Sequence, residues 1–194
     1  MPPPQKRTTM TRRKASSLSK ASSCDLWEQF CVNFPTIIEQ MPYHQNIINS
    51  LKQPNNHYFS NILVYGVHGF PLDLFAKILV TTFLAIPFDA SIISSNTLLW
   101  EDKVPYCDHK YFFVIDFNHR DMSKDIACII DFIKTIIQTR SEFTMSCNRH
   151  IFILSNIDTI CSEHYAILRI LLERFSTNAL FIATTYHYSC IEMR

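Results

Sequence analysis

Apolar positions follow two different spacings along the chain, and each spacing predicts a different structural element. From Asp25 onward, several segments carry apolar residues every three or four positions, which is typical of amphipathic helices. The predicted helices span 36–52 (divisible at Pro42), 72–83, 123–140 (with Ser123 as N-cap) and 162–175. Short runs rich in β-branched and aromatic residues predict strands over 61–65, 111–117, 150–154 and 179–184, and a weaker one near 90–94. Strands that alternate with helices indicate an α/β fold with a parallel sheet covered on both faces.

The predicted sheet brings three chemically distinctive residues to one edge. Gly66, Asp116 and Ser155 each lie at or next to the end of a predicted strand. The carboxyl ends of parallel strands meet at the same edge, and ligands of such sheets bind beyond that edge. We therefore expect any ligand site of this protein to lie there.

The turn after the first predicted strand contains both glycines of the chain, at the spacing of a phosphate-binding loop. Such a loop uses backbone N–H groups and a lysine to hold phosphate, and a Ser or Thr hydroxyl to hold Mg²⁺. Here Leu72 stands at the lysine position, Asp73 at the hydroxyl position, and Pro71 lacks an N–H. Two glycines alone also fit an ordinary strand-to-helix turn. The turn reads Gly66, Val67, His68, Gly69, Phe70, Pro71, Leu72, Asp73.

Composition limits the class of protein. The 194 residues suit one domain with or without a tail, and a 47% hydrophobic content is enough for a sizeable core. The apolar runs are too short to span a bilayer, so the sequence predicts no membrane segment. The basic residues near the N-terminus are not followed by an apolar stretch, so the sequence predicts no secretory signal. Seven cysteines without a CxxC pair favour buried, reduced thiols in an intracellular protein over a zinc site.

The first 23 residues differ sharply from the rest. They contain three prolines and no acidic residue, which predicts a disordered tail ahead of a domain over 24–194. The whole chain carries +1, so removing the six basic residues of the tail leaves −5 for that domain. The tail fits a nuclear-import or nucleic-acid-contacting arm, and equally a solubilising segment without a specific partner. Its basic residues are Lys6, Arg7, Arg12, Arg13, Lys14 and Lys20.

Two stretches carry a resemblance to a known family. The first stretch contains, in order, Glu39-Gln40, Tyr43-His44 and 63–66 (Leu-Val-Tyr-Gly). It resembles the sequence E-Q-L-D-Y-H, then a helix, then L-L-V-Y-G-P, which is found in clamp-loader small subunits, the replication factor C family. Leu26-Trp27 matches the start of the domain in one branch of that family. Further matches in order and spacing are Lys134-Thr135, Gln138, Asp158, Leu168-Arg169, Glu173-Arg174-Phe175 and Phe181-Ile182. The resemblance extends from about Asp25 to the last residue.

The resemblance implies an AAA+-type P-loop three-layer domain with a parallel five-stranded sheet, without the lid and collar domains. It also implies where the chemistry has changed. Ser155 and Asn156 stand at the acidic pair, with Asp158 in the same motif, and Tyr186 stands at the asparagine of the first sensor. A serine holds Mg²⁺ poorly and an asparagine amide cannot accept a proton from water. The stretch 30–33 replaces the family's K-Y-R-P near the adenine pocket, and Ile170 replaces an arginine.

These replacements imply a pseudo-ATPase that retains the fold and needs no cofactor. The expected partners are other clamp-loader subunits, a sliding clamp and DNA, at the nucleus or another site of DNA replication. The family's helix after the third strand faces the clamp, which here implies a contact at Lys124, Asp125 and Cys128. Scarce glycine with abundant isoleucine, phenylalanine and asparagine is typical of AT-rich genomes, large DNA viruses among them.

Two other functions remain open. One is a degenerate P-loop nucleotide-binding enzyme of the nucleoside-kinase type, although its loop would need a lysine at Leu72. The other is a free-standing interaction protein built on an AAA+ core.

Metal and hydrolase sites are not favoured by the sequence. The eight histidines form no H-x-x-x-H or H-E-x-x-H pattern, and pairs such as Asp108-His109, or Asp116 with His119, are typical of surface loops. We therefore expect no metal site. A hydrolase set of Ser155, Asp158 and His150 lacks the Gly-x-Ser-x-Gly turn that such enzymes use.

Overall fold

The computed structural model describes residues 23–52, 60–89, 92, 98–101, 104–109, 111–118, 126–139 and 149–188. Within these residues a six-stranded sheet has the order β1-β6-β5-β4-β3-β2. Strands β1, β6, β5 and β4 are parallel, and β3 and β2 continue the sheet as antiparallel strands. The strands are β1 (Ile62–Tyr65), β2 (Leu98–Glu101), β3 (Val104–His109), β4 (Phe112–Asp116), β5 (His150–Ser155) and β6 (Ala179–Thr185).

The predicted α/β class with a mostly parallel sheet is confirmed, whereas the expected five parallel strands are wrong in number and direction. The sequence analysis missed β2 and β3. Pro105 lies inside β3, and a proline within a short apolar run argues against a strand because it cannot donate to the ladder. In the structure Pro105 is paired with Trp100 of β2.

Five helices flank the sheet in the described part of the chain. Proline 42 divides the first predicted helix in two, as expected, and forms the first turn of the second. The first helix also begins earlier than predicted, because Cys31, Phe34 and Ile38 recur at helical spacing and are buried. The helices are α1 (Ser23–Glu39), α2 (Pro42–Leu51), α3 (Leu72–Phe83), α4 (Ile126–Thr139) and α5 (Ser162–Arg174). The predicted strand near 90–94 and N-cap Ser123 lie largely or wholly outside the described residues.

Chain connectivity explains why both faces of the sheet are covered. From β1 the chain passes through α3 and then reaches β2, β3 and β4 at the far side. It returns through α4, β5 and α5 to β6, which lies between β5 and β1. Helices α4 and α5 pack with Phe152 and Leu154 on one face, whereas α1, α2 and α3 pack with Ile151 and Ile153 on the other. Burial on both faces is why these strands read as continuous apolar runs.

Burial lowers the pKa of two basic side chains, Lys77 and His109, within this apolar interior. Lys77 of α3 donates a hydrogen bond from Nζ to the carbonyl oxygen of Ile92, at 3.1 Å, and burial lowers the pKa of Lys77. His109 of β3 is only 5% exposed and stacks on the ring of Phe112. Burial, assisted by the positive charge of Lys77, lowers the pKa of His109 to about 4. The expectation that His109 belongs to a surface loop is therefore wrong.

Acid should destabilise the protein through His109. The unfolded chain binds a proton at this histidine from about pH 6.5 downward, whereas the folded chain binds it only near pH 4. The free energy of unfolding should therefore fall as the pH falls through this window, and this dependence should be weaker in His109→Gln. Urea unfolding at several pH values measures it. His164→Gln, at a partly exposed position of α5, is the control, and equal pH dependence in wild type and His109→Gln would contradict the assignment.

Candidate functional site

The carboxyl ends of the four parallel strands form a polar edge, as the sequence predicted. Gly66 follows β1, while Asp116 ends β4 and is paired in register with Ser155 at the end of β5. Thr184 and Thr185 end β6, beside the last residues of β1. The structure thus brings the glycine turn, the Ser155 motif and the Tyr186 position to one edge.

A chain of hydrogen bonds connects three of the strand ends to α3. The backbone N–H of Asn156 donates to Thr184 Oγ1 at 3.1 Å, and the Thr184 hydroxyl donates to Asp73 Oδ1 at 3.1 Å. The side-chain amide of Asn156 donates to Asp116 Oδ1 at 2.8 Å. Asn156 adopts a left-handed conformation (φ 56°, ψ 46°), which asparagine tolerates better than most residues. The side-chain amide of Asn156 therefore links the end of β4 to the residue that follows β5.

The glycine turn uses two of its backbone N–H groups in hydrogen bonds of its own, where a phosphate-binding loop would keep such groups for phosphate. The N–H of Phe70 donates to the Val67 carbonyl at 3.2 Å, and the N–H of Leu72 donates to the Phe70 carbonyl at 2.9 Å. Pro71 has no N–H to offer. The Tyr186 hydroxyl also donates to the Phe70 carbonyl, at 3.0 Å. These bonds tie the turn together and engage the N–H groups of Phe70 and Leu72.

Leu72 occupies the lysine position with its side chain inside the core. It is 1% exposed and packs in the cluster formed by α1, α2 and α3. A Cβ atom added at Gly66 would lie 3.0 Å from Leu72 Cδ2, so the Leu72 side chain would have to shift to admit any larger residue. Gly69 has a φ of 96°, a conformation that other residues rarely adopt. Both glycines are therefore explained by the geometry of the turn itself.

Carboxylates dominate the electrostatics of the edge. Burial raises the pKa of Asp73, and this effect outweighs the hydroxyl groups of Ser155 and Thr184, which lower it. The nearby Asp116 raises the pKa of Asp73 further, while Lys77 lowers it only weakly. The Ser155 hydroxyl is buried and has no hydrogen-bond partner at normal distance among the described residues. An anionic phosphate would meet negative charge here.

A second polar group lies beside Tyr186. The His68 ring stacks on the Tyr186 ring with centroids 4.8 Å apart, and His68 Nε2 is 3.3 Å from His187 Nε2. His187 Nε2 is 4.0 Å from Asp158 Oδ2. The sequence pattern placed His68 in the glycine turn and predicted no role for His187. Their separation of 119 positions leaves no local pattern, and only the order of the strands could have suggested the pairing.

An apolar cavity of about 340 Å³ lies beside β1, between α2 and α3. Its lining includes His44, Ile47, Phe70, Phe75 and Leu79. The stretch 30–33, expected near an adenine pocket, lies on α1 instead of among these lining residues. The stretch reaches the cavity only through Phe34. The ring of Phe30 contacts that of Phe34 at a centroid distance of 5.4 Å, and Phe34 contacts the cavity residue Phe70 at 5.9 Å.

The other predicted site residues are placed as follows. His150 begins β5 and Ser155 ends it, so the strand separates them by about 16 Å and no hydrolase triad forms. Cys128 lies half-buried on α4, and Cys31 is buried on α1. Lys124, Asp125 and the tail residues Lys6, Arg7, Arg12, Arg13, Lys14 and Lys20 lie outside the described residues.

Comparisons with known proteins identify no family. Neither a protein-family model nor a curated protein sequence matches the chain. In the described residues, no helix is long and apolar enough to cross a membrane. Among the same residues, no group of three or more His, Cys, Asp or Glu side chains could hold a metal ion.

Replacing Asp73 should make the protein more stable at neutral pH. The folded chain holds the Asp73 proton to a higher pH than the unfolded chain, so stability falls as the pH rises from about 3.8 through the raised pKa. Asp73→Asn removes this penalty and keeps a carbonyl that accepts the Thr184 hydrogen bond. We expect a melting temperature a few degrees higher at neutral pH, and less difference under acid conditions.

Differential scanning calorimetry across the pH range provides this measurement. Asp131→Asn is the matched control, because Asp131 is exposed on α4 and forms only a surface ion pair with Lys134. A lower melting temperature for Asp73→Asn at neutral pH would show that the ionised carboxylate stabilises the turn.

Proposed function

We propose that this protein is a non-catalytic clamp-loader-like subunit, resembling replication factor C small subunits, that acts as a scaffold or accessory factor in DNA replication. The observation that carries the proposal is the combined state of the glycine turn. Its lysine position is a buried leucine, two of its backbone N–H groups bond within the turn, and its hydroxyl position is a carboxylate held by Thr184. These features support a turn that does not hold ATP on a core of the AAA+ type.

The arrangement of motifs supports an AAA+-type core. In the resemblance, the glycine loop, the acidic pair and the first sensor follow three different strands and meet at one edge. Here Gly66 follows β1, Asn156 follows β5 and Tyr186 follows β6, and these three strands are neighbours in the sheet. This correspondence of motif, strand and edge is what an AAA+-type topology would give, and it supports the proposal.

Several independent features oppose ATP hydrolysis. Lys77, the nearest lysine on α3, points away to the Ile92 carbonyl and is buried. Asn156 cannot serve as a base, and its amide is already bonded to Asp116. Asp73 and Asp116 together place negative charge where phosphoryl transfer needs positive charge. A substitution that restored only one of these catalytic groups would therefore not be expected to restore ATP hydrolysis.

Contacts with other proteins are favoured by the surface of α1. Leu26, Trp27 and Val32 are each more than half exposed, and Trp27 stacks on Phe30 at a centroid distance of 5.5 Å. Exposed aromatic and aliphatic side chains close together are typical of interaction surfaces. This observation fits a clamp-loader subunit, and it equally fits the second candidate, a free-standing interaction protein on the same core.

Purified full-length protein should release no phosphate from ATP above background. The lost lysine and acidic pair each correspond to groups whose removal lowers kcat by about 10²–10³-fold in other enzymes. Phosphate release with ATP and Mg²⁺ measures this, and adding nucleosides as acceptors tests the nucleoside-kinase alternative. Asp158→Ala is the control for phosphate released by contaminants. ATP turnover by the wild type that is absent in this variant would contradict the pseudo-ATPase proposal.

The partner is tested by charge reversal at the expected clamp contact. Lys124→Glu with Asp125→Lys should weaken cross-linked co-purification with a sliding clamp or loader subunit, because charge complementarity at an interface is lost. Asp131→Lys with Lys134→Glu is the matched control, since it exchanges the same charges within an exposed ion pair of α4. If wild-type protein captures other proteins but none of replication, the free-standing interaction protein becomes the better description.

A further inference from the structure

We propose that the outer edge of β1 binds an extended, uncharged segment of another protein as an added strand. An apolar side chain of that segment would enter the cavity between α2 and α3. This inference does not rest on the clamp-loader proposal. Recognition comes from backbone hydrogen bonds and apolar burial together, which is the chemistry of an extended polypeptide.

Strand β1 has an open side. In the described part of the chain it lies at the end of the sheet and pairs only with β6. Among the same residues, no backbone group of Ile62–Tyr65 forms a hydrogen bond outside that pairing. Successive residues of a strand direct their N–H and C=O groups to opposite sides, so β1 presents donors and acceptors along its outer edge. Such a row of groups can pair with a further strand.

The edge of β1 lacks the side chains that usually prevent strand addition. Residues 61–67 include no charged residue and no proline, both of which proteins commonly place on edge strands. The other edge strand, β2, includes Glu101 and is followed in the sequence by Asp102 and Lys103. Charge therefore protects the β2 edge of the sheet, and only the short length of β1, four residues, limits pairing at the other.

The apolar cavity adjoins this open edge. Its lining includes all four residues of β1, with Ile47 from α2 and Phe75 from α3. Its volume of about 340 Å³ lies near the lower end of the range of about 300–1,000 Å³ for ligand pockets, which suits an inserted side chain. An added strand would lie about 4.8 Å from β1, with every second side chain on the cavity face. No Asp, Glu, Lys or Arg is among the described lining residues, so the inserted side chain should be uncharged.

Exposed apolar side chains surround the mouth of the cavity. Tyr65 is 63% exposed, Val67 78% and Ile47 38%, and all three contribute to the lining. The Tyr65 ring contacts the Tyr188 ring at a centroid distance of 4.7 Å, which supports it from the segment after β6. A bound segment would cover these side chains, and burial of their apolar surface would stabilise the complex.

An extended segment fits this site better than a second copy of the chain. The four residues of β1 span about 13 Å, so two paired β1 edges would cover far less than the interface of about 1,200–2,000 Å² that a stable dimer needs. In such a pair, Ile62 and Val64 of the second copy would remain packed in its own core. The cavity would then stay unfilled, whereas a separate segment can supply a side chain for it.

The experiment selects short peptides from a random phage-displayed library on full-length protein. The enriched peptides should alternate apolar and polar residues, as a strand with one buried face does. Fluorescence anisotropy with the best synthetic peptide should show binding about tenfold weaker or more in Ile47→Glu and in Val67→Glu, which place a charge at the apolar mouth. Ile170→Glu is the matched control, since it makes the same change at a 62% exposed isoleucine of α5, in the opposite helical layer.

Backbone pairing is tested apart from side-chain burial. Hydrogen exchange of residues 61–67, measured by mass spectrometry, should slow when the peptide is bound. N-methylation of one alternate set of peptide amides should abolish binding, whereas N-methylation of the other set should leave it intact, because only one set faces β1. These measurements use the wild type, so they do not depend on the folding of any variant.

The proposal is overturned if no peptide is enriched, if Ile47→Glu and Val67→Glu bind the peptide as the wild type does, or if exchange of residues 61–67 is unchanged. A wild-type dimer that both substitutions convert to a monomer in analytical ultracentrifugation would identify a second copy as the occupant, and would also overturn it. Circular dichroism of each variant confirms that any loss of binding occurs in folded protein.

Discussion

Burial of both faces of β5 and β6 is the constraint on which the rest of the structure depends. Every residue of these two strands is buried, with alternate side chains packing under opposite helical layers. No polar side chain can face solvent from the middle of such strands. Polar chemistry is therefore restricted to the strand ends, and the carboxyl ends hold Ser155, Asn156 and Thr184 beside the glycine turn.

At this edge the polar groups of the strand ends and of the glycine turn bond to one another. Asp73 accepts from Thr184, Thr184 accepts from Asn156, and Tyr186 donates to the turn. Each bond is individually worth only about 0.5–1.5 kcal/mol. Together they connect elements that are far apart in the chain, so the edge acts as a structural joint between the turn and the sheet. A rigid joint of this kind suits the scaffold role that we propose.

The parts of the fold that depend on local pattern were predictable from sequence. Helix α3 was predicted with its observed ends because nearly all of its residues face the core, and β5 and β6 stood out as apolar runs bounded by polar residues. The hairpin of β2 and β3 was not predictable, since Pro105 lies inside β3 and a proline normally argues against a strand. Within the site, strand ends indicated Asp116 and Ser155, but the pairing of His68 with His187 depends on tertiary structure alone.

The close contact between Leu72 and Gly66 has a consequence for substitutions in the turn. A lysine in place of Leu72 would leave its charge inside the apolar cluster that packs under α1, α2 and α3. A side chain added at Gly66 would press on the Leu72 side chain from the turn. The turn and the core therefore cannot change independently of each other, and substitutions that leave the fold intact are most readily accepted on the exposed surfaces.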